Sequence, residues 1–127
     1  MKTKLTLVAL ILCMVLSAQK KKNGNIYIEH PAMEVVDEFN TAFVTGDLEK
    51  IKSLVSDDFK WRNSTMREKP GTLKQLLGRS NYLSKNIENF EIKHYGGSYP
   101  DAFEYKKDNV LDVMTYTWMT GYDKNTG

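Results

Sequence analysis

The feature that most constrains the fold is a pair of short amphipathic segments on either side of Gly46 and Asp47. In both segments apolar residues recur at spacings of three and four, the period of an α-helix with one apolar face. Glycine readily adopts the left-handed conformation that ends a helix, and an aspartate oxygen can cap the next helix. The sequence therefore predicts two helices joined by a tight turn, the first beginning at Pro31. Their apolar positions are Val35, Val36, Phe39, Ala42 and Phe43, then Leu48, Ile51, Leu54 and Val55.

A third helix is predicted after Thr72, which has the spacing of a capping box with Gln75. Its apolar positions extend through Leu83 to Ile87. Gly78 lies inside this helix, where glycine costs about 1 kcal/mol relative to alanine. We therefore expect a neighbouring element to pack closely against Gly78.

Alternation of apolar and polar residues with period two predicts strands beginning near Phe59, Phe90 and Phe103. A long strand is predicted over 110–122, and bulky residues occupy both of its faces. This pattern is typical of a sheet that is covered on both sides. One face carries Leu111, Val113 and Met119, and the other carries Met114, Tyr116 and Trp118.

Residues 123–127 have the chemistry of a hairpin turn, because Asn125 and Gly127 both tolerate positive φ. A hairpin turn leads into a returning strand, so we expect the domain to continue beyond residue 127. A frayed natural terminus is the alternative interpretation.

The first 18 residues have the organisation of a secretory signal peptide. Lys2 and Lys4 precede an uncharged apolar run over 5–16, and Ser17 and Ala18 follow it. The run is shorter than the roughly 20 apolar residues of a membrane-spanning helix, so no stable membrane insertion is expected. A retained signal anchor is the alternative. The sequence thus predicts export to the periplasm or the extracellular space, with residues 19–30 as a flexible spacer.

Charge and cysteine content exclude several classes of function. The chain has 18 Lys and Arg against 16 Asp and Glu, and loss of Lys2 and Lys4 with the leader leaves the two signs equal. Basic residues are interleaved with acidic ones, so no nucleic-acid partner is predicted. Cys13, the one cysteine, lies in the leader, which excludes disulfides and cysteine metal ligands in the processed chain.

No sequence motif supports a metal ion or a cofactor. The chain has no Cys/His cluster, no phosphate-binding glycine loop and no serine elbow. Asp57 and Asp58 are adjacent, and since adjacent side chains diverge, we assign them to turn formation rather than to metal binding. Roughly 100 residues follow Pro31, which is enough for one hydrophobic core and one domain.

The order of these elements resembles the nuclear transport factor 2-like superfamily, which includes ketosteroid isomerases and polyketide-cyclase-like (SnoaL-like) proteins. The resemblance rests on Gly46-Asp47-Leu48 between two helices, on Ser56-Asp57-Asp58-Phe59, and on the strand, third helix and long strands that follow. It covers residues 31–127. It implies an α+β fold in which a curved antiparallel sheet wraps around three helices into a cone, with an apolar pocket at the wide end. The last strands of that fold would lie beyond residue 127.

Ketosteroid isomerase chemistry is not expected from this chain. In that branch a Tyr precedes the Gly of the Gly-Asp-Leu motif by seven residues, and an Asp general base follows it by seventeen. The corresponding residues here are Phe39 and Asn63. Phenylalanine has no hydrogen-bond donor, and asparagine cannot accept the proton that the reaction removes.

Several side chains are candidates for a pocket or a reaction. Alternation predicts that Trp61 and Asn63 face the interior while Lys60 and Arg62 face solvent. His94 has the parity of Phe90 and Ile92, so it is a general base, a polar anchor for a ligand, or a hydrogen-bonded core or rim residue. As a general base it would have Asp112 as its acidic partner. The predicted pocket lining, whose aromatic members could equally form only a core, is Phe39, Phe43, Trp61, Asn63, Tyr82, Tyr116 and Trp118.

Two hypotheses about function follow. The first is an exported domain that binds a small apolar or amphipathic molecule in its cone, or that acts as an interaction module and forms a homodimer when complete. The second is an enzyme on the same scaffold, a cyclase, dehydratase or hydrolase that uses His94 with Asp112 or with a residue on the later strands. The first is favoured, because the one reaction that can be checked has lost its residues.

Overall fold

The computed structural model describes residues 22–63, 69–95 and 101–126. Within these ranges the fold is α+β, with three helices and antiparallel sheets. The predicted signal peptide, residues 1–18, lies outside the described residues, as does residue 127. In chain order the elements are β1 (Gly24–Tyr27), α1 (Pro31–Thr45), α2 (Leu48–Leu54), β2 (Lys60–Trp61), β3 (Gly71–Thr72), α3 (Leu73–Asn86), β4 (Ile87–His94), β5 (Asp101–Tyr105), β6 (Val110–Met114) and β7 (Thr117–Asp123).

The junction of α1 and α2 is as the sequence predicts. Gly46 has φ 74° and ψ 24°, the left-handed conformation that ends α1. The Asp47 carboxylate accepts a hydrogen bond of 3.0 Å from the Lys50 amide and so caps α2. At the other end of α1, Nδ1 of His30 accepts a hydrogen bond from the Ala32 amide at 3.1 Å. Local interactions therefore mark both ends of α1 and the start of α2.

The third helix begins at the predicted capping box. The Thr72 hydroxyl accepts from the Gln75 amide at 3.4 Å, and the Gln75 side chain accepts from the Thr72 amide at 2.9 Å. The helix ends at Asn86, so Ile87 belongs to β4 rather than to α3. The close contact predicted at Gly78 is wrong, because an added Cβ there would meet no atom within 4 Å.

The strands form antiparallel sheets with the orders β1-β5-β6, β2-β3 and β4-β7. The predicted single strand over 110–122 is instead two strands in two sheets. Val113 of β6 pairs with Ala102, whereas Thr117 of β7 pairs with His94. Residues 115 and 116 belong to neither strand, and the chain passes from one sheet to the other between them. Such changes of sheet typically occur at a bend.

The segment predicted as a flexible spacer, 19–30, contains a strand. Gly24 pairs with Tyr105, and Tyr27 pairs with Ala102, so β1 forms an edge of the sheet that contains β5. Two side-chain hydrogen bonds of 2.8 Å reinforce the pairing, one from Asn25 and one from the Tyr27 hydroxyl, both to the Glu104 carboxylate. The lysines that precede this strand indicate a spacer, but they say nothing about the pairing of the residues that follow.

The core lies where the three helices meet β4. Ala42, Phe43, Ile51 and Leu76 form its buried cluster. Ser80 is fully buried, and its hydroxyl donates to the Phe43 carbonyl at 2.8 Å, which joins α3 to α1. No helix in the described part of the chain is long and apolar enough to cross a membrane.

Bulky side chains on β6 and β7 are not covered on both faces as predicted. The residues concerned remain largely exposed: Val110, Leu111, Met114, Tyr116, Trp118, Met119 and Tyr122. The helical core packs against Phe90 and Ile92 of β4, so it shields one face of the β4-β7 pair. An apolar pattern on both faces of a strand shows which side chains are suited to burial. Whether they are buried depends on which of the described elements pack against each face.

Candidate ligand-binding cavity

An open cavity of about 310 Å³ lies between α1, α3, the β2 region and the β4-β7 pair. Its volume falls at the lower end of the range usual for small-molecule sites. All of these elements contribute side chains to it. The lining residues are Phe39, Asn40 and Phe43 from α1, Trp61, Arg62 and Asn63 from β2 and beyond, Leu76 and Arg79 from α3, and Ile92 and Met119 from the strands.

The inner wall of the cavity is apolar. Phe39 and Phe43 are four residues apart, so both rings lie on the same face of α1, with centroids 6.5 Å apart. The edge of the Phe43 ring meets Phe90 at a centroid distance of 6.3 Å, and Ile92 follows Phe90 on the same face of β4. The aromatic wall of the cavity is therefore part of the core, because Phe43 belongs to the buried cluster and Phe39 and Phe90 pack against it.

Trp61 is held in the cavity by its neighbours on β3. Its indole Nε1 donates to the Thr72 carbonyl at 3.0 Å, and its backbone pairs with Gly71. A Cβ at position 71 would collide with the indole ring. Sequence reasoning missed this role of Gly71, because a Pro-Gly pair predicts a loop and carries no sign of a cross-strand contact.

Charge is sparse and of one sign around this cavity. Arg62 and Arg79 are the only ionisable side chains among the described residues that line it. Both are exposed, and neither side chain forms an ion pair with a described residue. Lys60 and Arg62 are exposed while Trp61 and Asn63 are half-buried, as the alternation predicts. Arg62 nevertheless lines the cavity together with Trp61 and Asn63, which the alternation did not predict. Arg79 was not predicted, although its spacing of three from Leu76 places it near the same face of α3.

The structure brings four of the seven predicted lining residues together. Phe39, Phe43, Trp61 and Asn63 line the cavity, and the other three do not. Those three are Tyr82, Tyr116 and Trp118, which are 52%, 51% and 59% exposed.

The register of β4 and β7 explains why Trp118 lies outside the cavity. Met119 pairs with Ile92, and both side chains line the cavity, whereas Trp118 pairs with Lys93 on the opposite face. The Trp118 ring packs against Tyr95 instead, at a centroid distance of 5.3 Å. The cavity therefore uses the face of this strand that contains Met119, not the face predicted.

A second cavity, of about 210 Å³, adjoins the first and contains His94. Nε2 of His94 lies 3.5 Å from a carboxylate oxygen of Asp37, and both side chains are partly exposed. Asp112, the predicted partner, lies on exposed β6 opposite Phe103. The acidic neighbour of His94 is thus Asp37 of α1, which the sequence analysis did not select. The polar residues of α1 at this cavity are Asp37, Asn40 and Thr41, a helical spacing that could have indicated a common face.

Asp57 and Asp58 form a turn, as predicted. The Ser56 hydroxyl donates to the Asp58 carboxylate at 2.6 Å, and this hydrogen bond, the largest cause, lowers the pKa of Asp58. The Phe59 amide donates to the Ser56 carbonyl at 3.0 Å and closes the turn. Within residues 22–63, 69–95 and 101–126, no group of three or more His, Cys, Asp or Glu side chains is placed to hold a metal ion.

Comparison of the chain with models of protein families, with curated proteins and with solved structures finds no match. The described residues define an α+β domain with an apolar cavity beside a His-Asp pair. The resemblance to the nuclear transport factor 2-like superfamily stays a prediction, based on the Gly46-Asp47-Leu48 motif and the order of the elements.

Proposed function

We propose that this chain is an exported domain of the nuclear transport factor 2-like superfamily that binds a small apolar or amphipathic molecule. The observation that carries the proposal is the 310 Å³ cavity walled by Phe39, Phe43 and Trp61. Sites for small molecules are typically concave and mostly apolar, with a few polar groups that orient the ligand. In the proposed fold the helices and the curved sheet enclose such a pocket, and Phe39 and Asn63 stand where an isomerase would need a donor and a base.

Tryptophan fluorescence provides a direct test, because Trp61 lines the cavity and Trp118 lies outside it. In a Trp118→Phe variant, 1-octanol is expected to change the emission of Trp61 in a saturable manner. In the matched Trp61→Phe variant, the emission of Trp118 should not respond. The proposal is wrong if neither octanol nor its anionic analogue octanoate gives a saturable change in Trp61 emission up to its solubility limit.

A pair of wall variants separates the cavity from the rest of the helical surface. Phe39→Asn places an amide in the apolar wall and is expected to weaken octanol binding by about tenfold, since ring contacts with the ligand are lost. Tyr82→Asn changes an exposed residue outside the cavity and should leave binding unchanged. Circular dichroism of both variants checks that they remain folded.

The pairing of His94 with Asp37 favours a second candidate, an enzyme that uses His94 as a general base. If Asp37 accepts the Nε2 proton, the Nδ1 lone pair is free to accept a proton from water or substrate. Asp37 takes the role that the sequence analysis gave to Asp112. The cyclase, dehydratase and hydrolase alternatives all need such a base next to a ligand cavity.

The hydrolase form can be tested with 4-nitrophenyl butyrate. His94→Gln should abolish saturable hydrolysis, and Asp37→Asn should lower the rate. His30→Asn is the matched control, because asparagine preserves the cap of α1 and His30 lies outside the His94 cavity. Equal rates for His94→Gln and the unmodified protein contradict a role for His94 in hydrolysis.

A further inference from the structure

We propose that the cavity selects amphipathic molecules with an anionic head group, above all a carboxylate, and that Arg62 and Arg79 bind this group. The inference rests on the proposed function and specifies the class of ligand. Its starting point is the charge of the cavity lining: Arg62 and Arg79 line the cavity together with apolar residues, and no described acidic residue lines it.

Three lysines of the described chain form ion pairs with glutamates. Lys50, Lys52 and Lys93 each lie within 2.6–2.7 Å of a glutamate oxygen. No described carboxylate lies within ion-pair distance of Arg62 or Arg79. Among residues 22–63, 69–95 and 101–126, therefore, no acidic side chain pairs with either cation at the cavity.

The position of the arginines matches the shape of an amphipathic anion. Both side chains are exposed, so they lie on the solvent-open side of the cavity, while Phe39 and Phe43 form its inner wall. An apolar tail in contact with the rings places its head group at the open side. Arg62 comes from the β2 region and Arg79 from α3, so the head group is approached from two elements.

Arginine suits this role better than lysine. Its guanidinium stays charged at all relevant pH values and offers paired N–H donors that match the two oxygens of a carboxylate. The adjoining apolar wall excludes water from one side, which strengthens the attraction relative to bulk solvent. A neutral head group of the same size has no charge to attract the guanidinium groups and no pair of equivalent oxygens for their N–H donors.

Octanoate and octanamide form a matched pair of probes, since they differ mainly in the charge of the head group. In the Trp118→Phe background at pH 7, octanoate is expected to bind about tenfold or more tightly than octanamide. Arg62→Gln and Arg79→Gln should each remove most of this preference, measured as the ratio of octanoate affinity to octanamide affinity in the same variant. Lys93→Gln, a cation outside this cavity, is the control.

The outcomes distinguish the inference from the proposed function. If octanol and octanamide bind but octanoate binds no tighter, the anion preference is wrong and the cavity still binds apolar ligands. If none of the three probes binds, both proposals are wrong. Arg62→Lys and Arg79→Lys should recover part of the octanoate preference lost in the glutamine variants. Failure of all four arginine variants to alter octanoate affinity overturns the assignment of the head-group site.

Discussion

Trp61 can lie across the cavity only because residue 71 has no side chain. In Gly71→Ala the new methyl group collides with the indole ring, so Trp61 must move and lose its hydrogen bond to Thr72. We expect a loss of about 1–3 kcal/mol in the free energy of unfolding and a red-shifted Trp61 emission. Urea unfolding and fluorescence in the Trp118→Phe background measure both. Unchanged emission would show that the ring does not rest on Gly71.

Glu104 makes the pairing of β1 with β5 sensitive to acid. Hydrogen bonds from Tyr27, the larger cause, and from Asn25 lower the pKa of Glu104 below its ordinary value of 4.5. Because the folded-state pKa is depressed, the stabilisation is present above the unfolded-state pKa and is lost as pH falls through the folded-state pKa. Glu104→Gln should therefore lower stability at neutral pH and reduce its loss on acidification.

Hydrogen exchange of the β1 amides, measured from pH 7 to pH 3, checks this prediction for Glu104. Glu88→Gln is the matched control, because Glu88 lies on β4 and not in the β1-β5 pair. A variant and a parent that lose β1 protection in parallel as pH falls would contradict the role of the carboxylate.

At the level of single elements, α3 carries a glycine that nothing in its surroundings requires. Gly78 is exposed, and a Cβ there meets open space. Gly78→Ala should therefore stabilise the protein by up to about 1 kcal/mol, the difference in helix propensity. Thermal or urea unfolding measures the gain.

Gly46→Ala is the control of opposite sign. The φ of Gly46, 74°, disfavours any residue with a Cβ, and a Cβ at this position would also meet the Ser84 side chain. We expect a loss of about 1 kcal/mol or more in the free energy of unfolding. Stabilisation by both substitutions would contradict the assigned end of α1.

The helices could be predicted because the signals that begin and end them are local. Gly46, Asp47 and the Thr72-Gln75 pair each act within a few residues of their own position. Strand pairing could not be predicted in the same way. Period two in the sequence shows which residues share a face, but it does not identify the partner strand, so the change of sheet at residue 115 stayed hidden.

The same difference between local signals and long-range pairing applies to the residues of the candidate site. Phe39 and Phe43 were found from the spacing within α1, and Trp61 and Asn63 from alternation beside β2. The contact of His94 with Asp37 joins residues distant in sequence, and no local pattern specifies it. The choice between Trp118 and Met119 depends on the register of β7 against β4, which the sequence leaves open.

At the level of the whole molecule, the leader predicts how the protein is handled in the cell. Expressed in a Gram-negative host, the chain should be cleaved near Ala18 and released by periplasmic extraction, because the run over 5–16 follows two lysines and precedes small residues. Mass spectrometry of the extracted protein identifies the new N-terminus. Recovery of an intact Met1 from the cytoplasm contradicts export.

The pairing of β1 with β5 also affects the order in which the molecule forms. Asn25 and Glu104 are separated by 79 positions along the chain and yet share a hydrogen bond. Contacts between such distant residues close a large loop and are slow to form, whereas the α1-α2 turn closes within a few residues. Of the described strands, β1 leaves the ribosome first, and it has no partner until β5 has been synthesised.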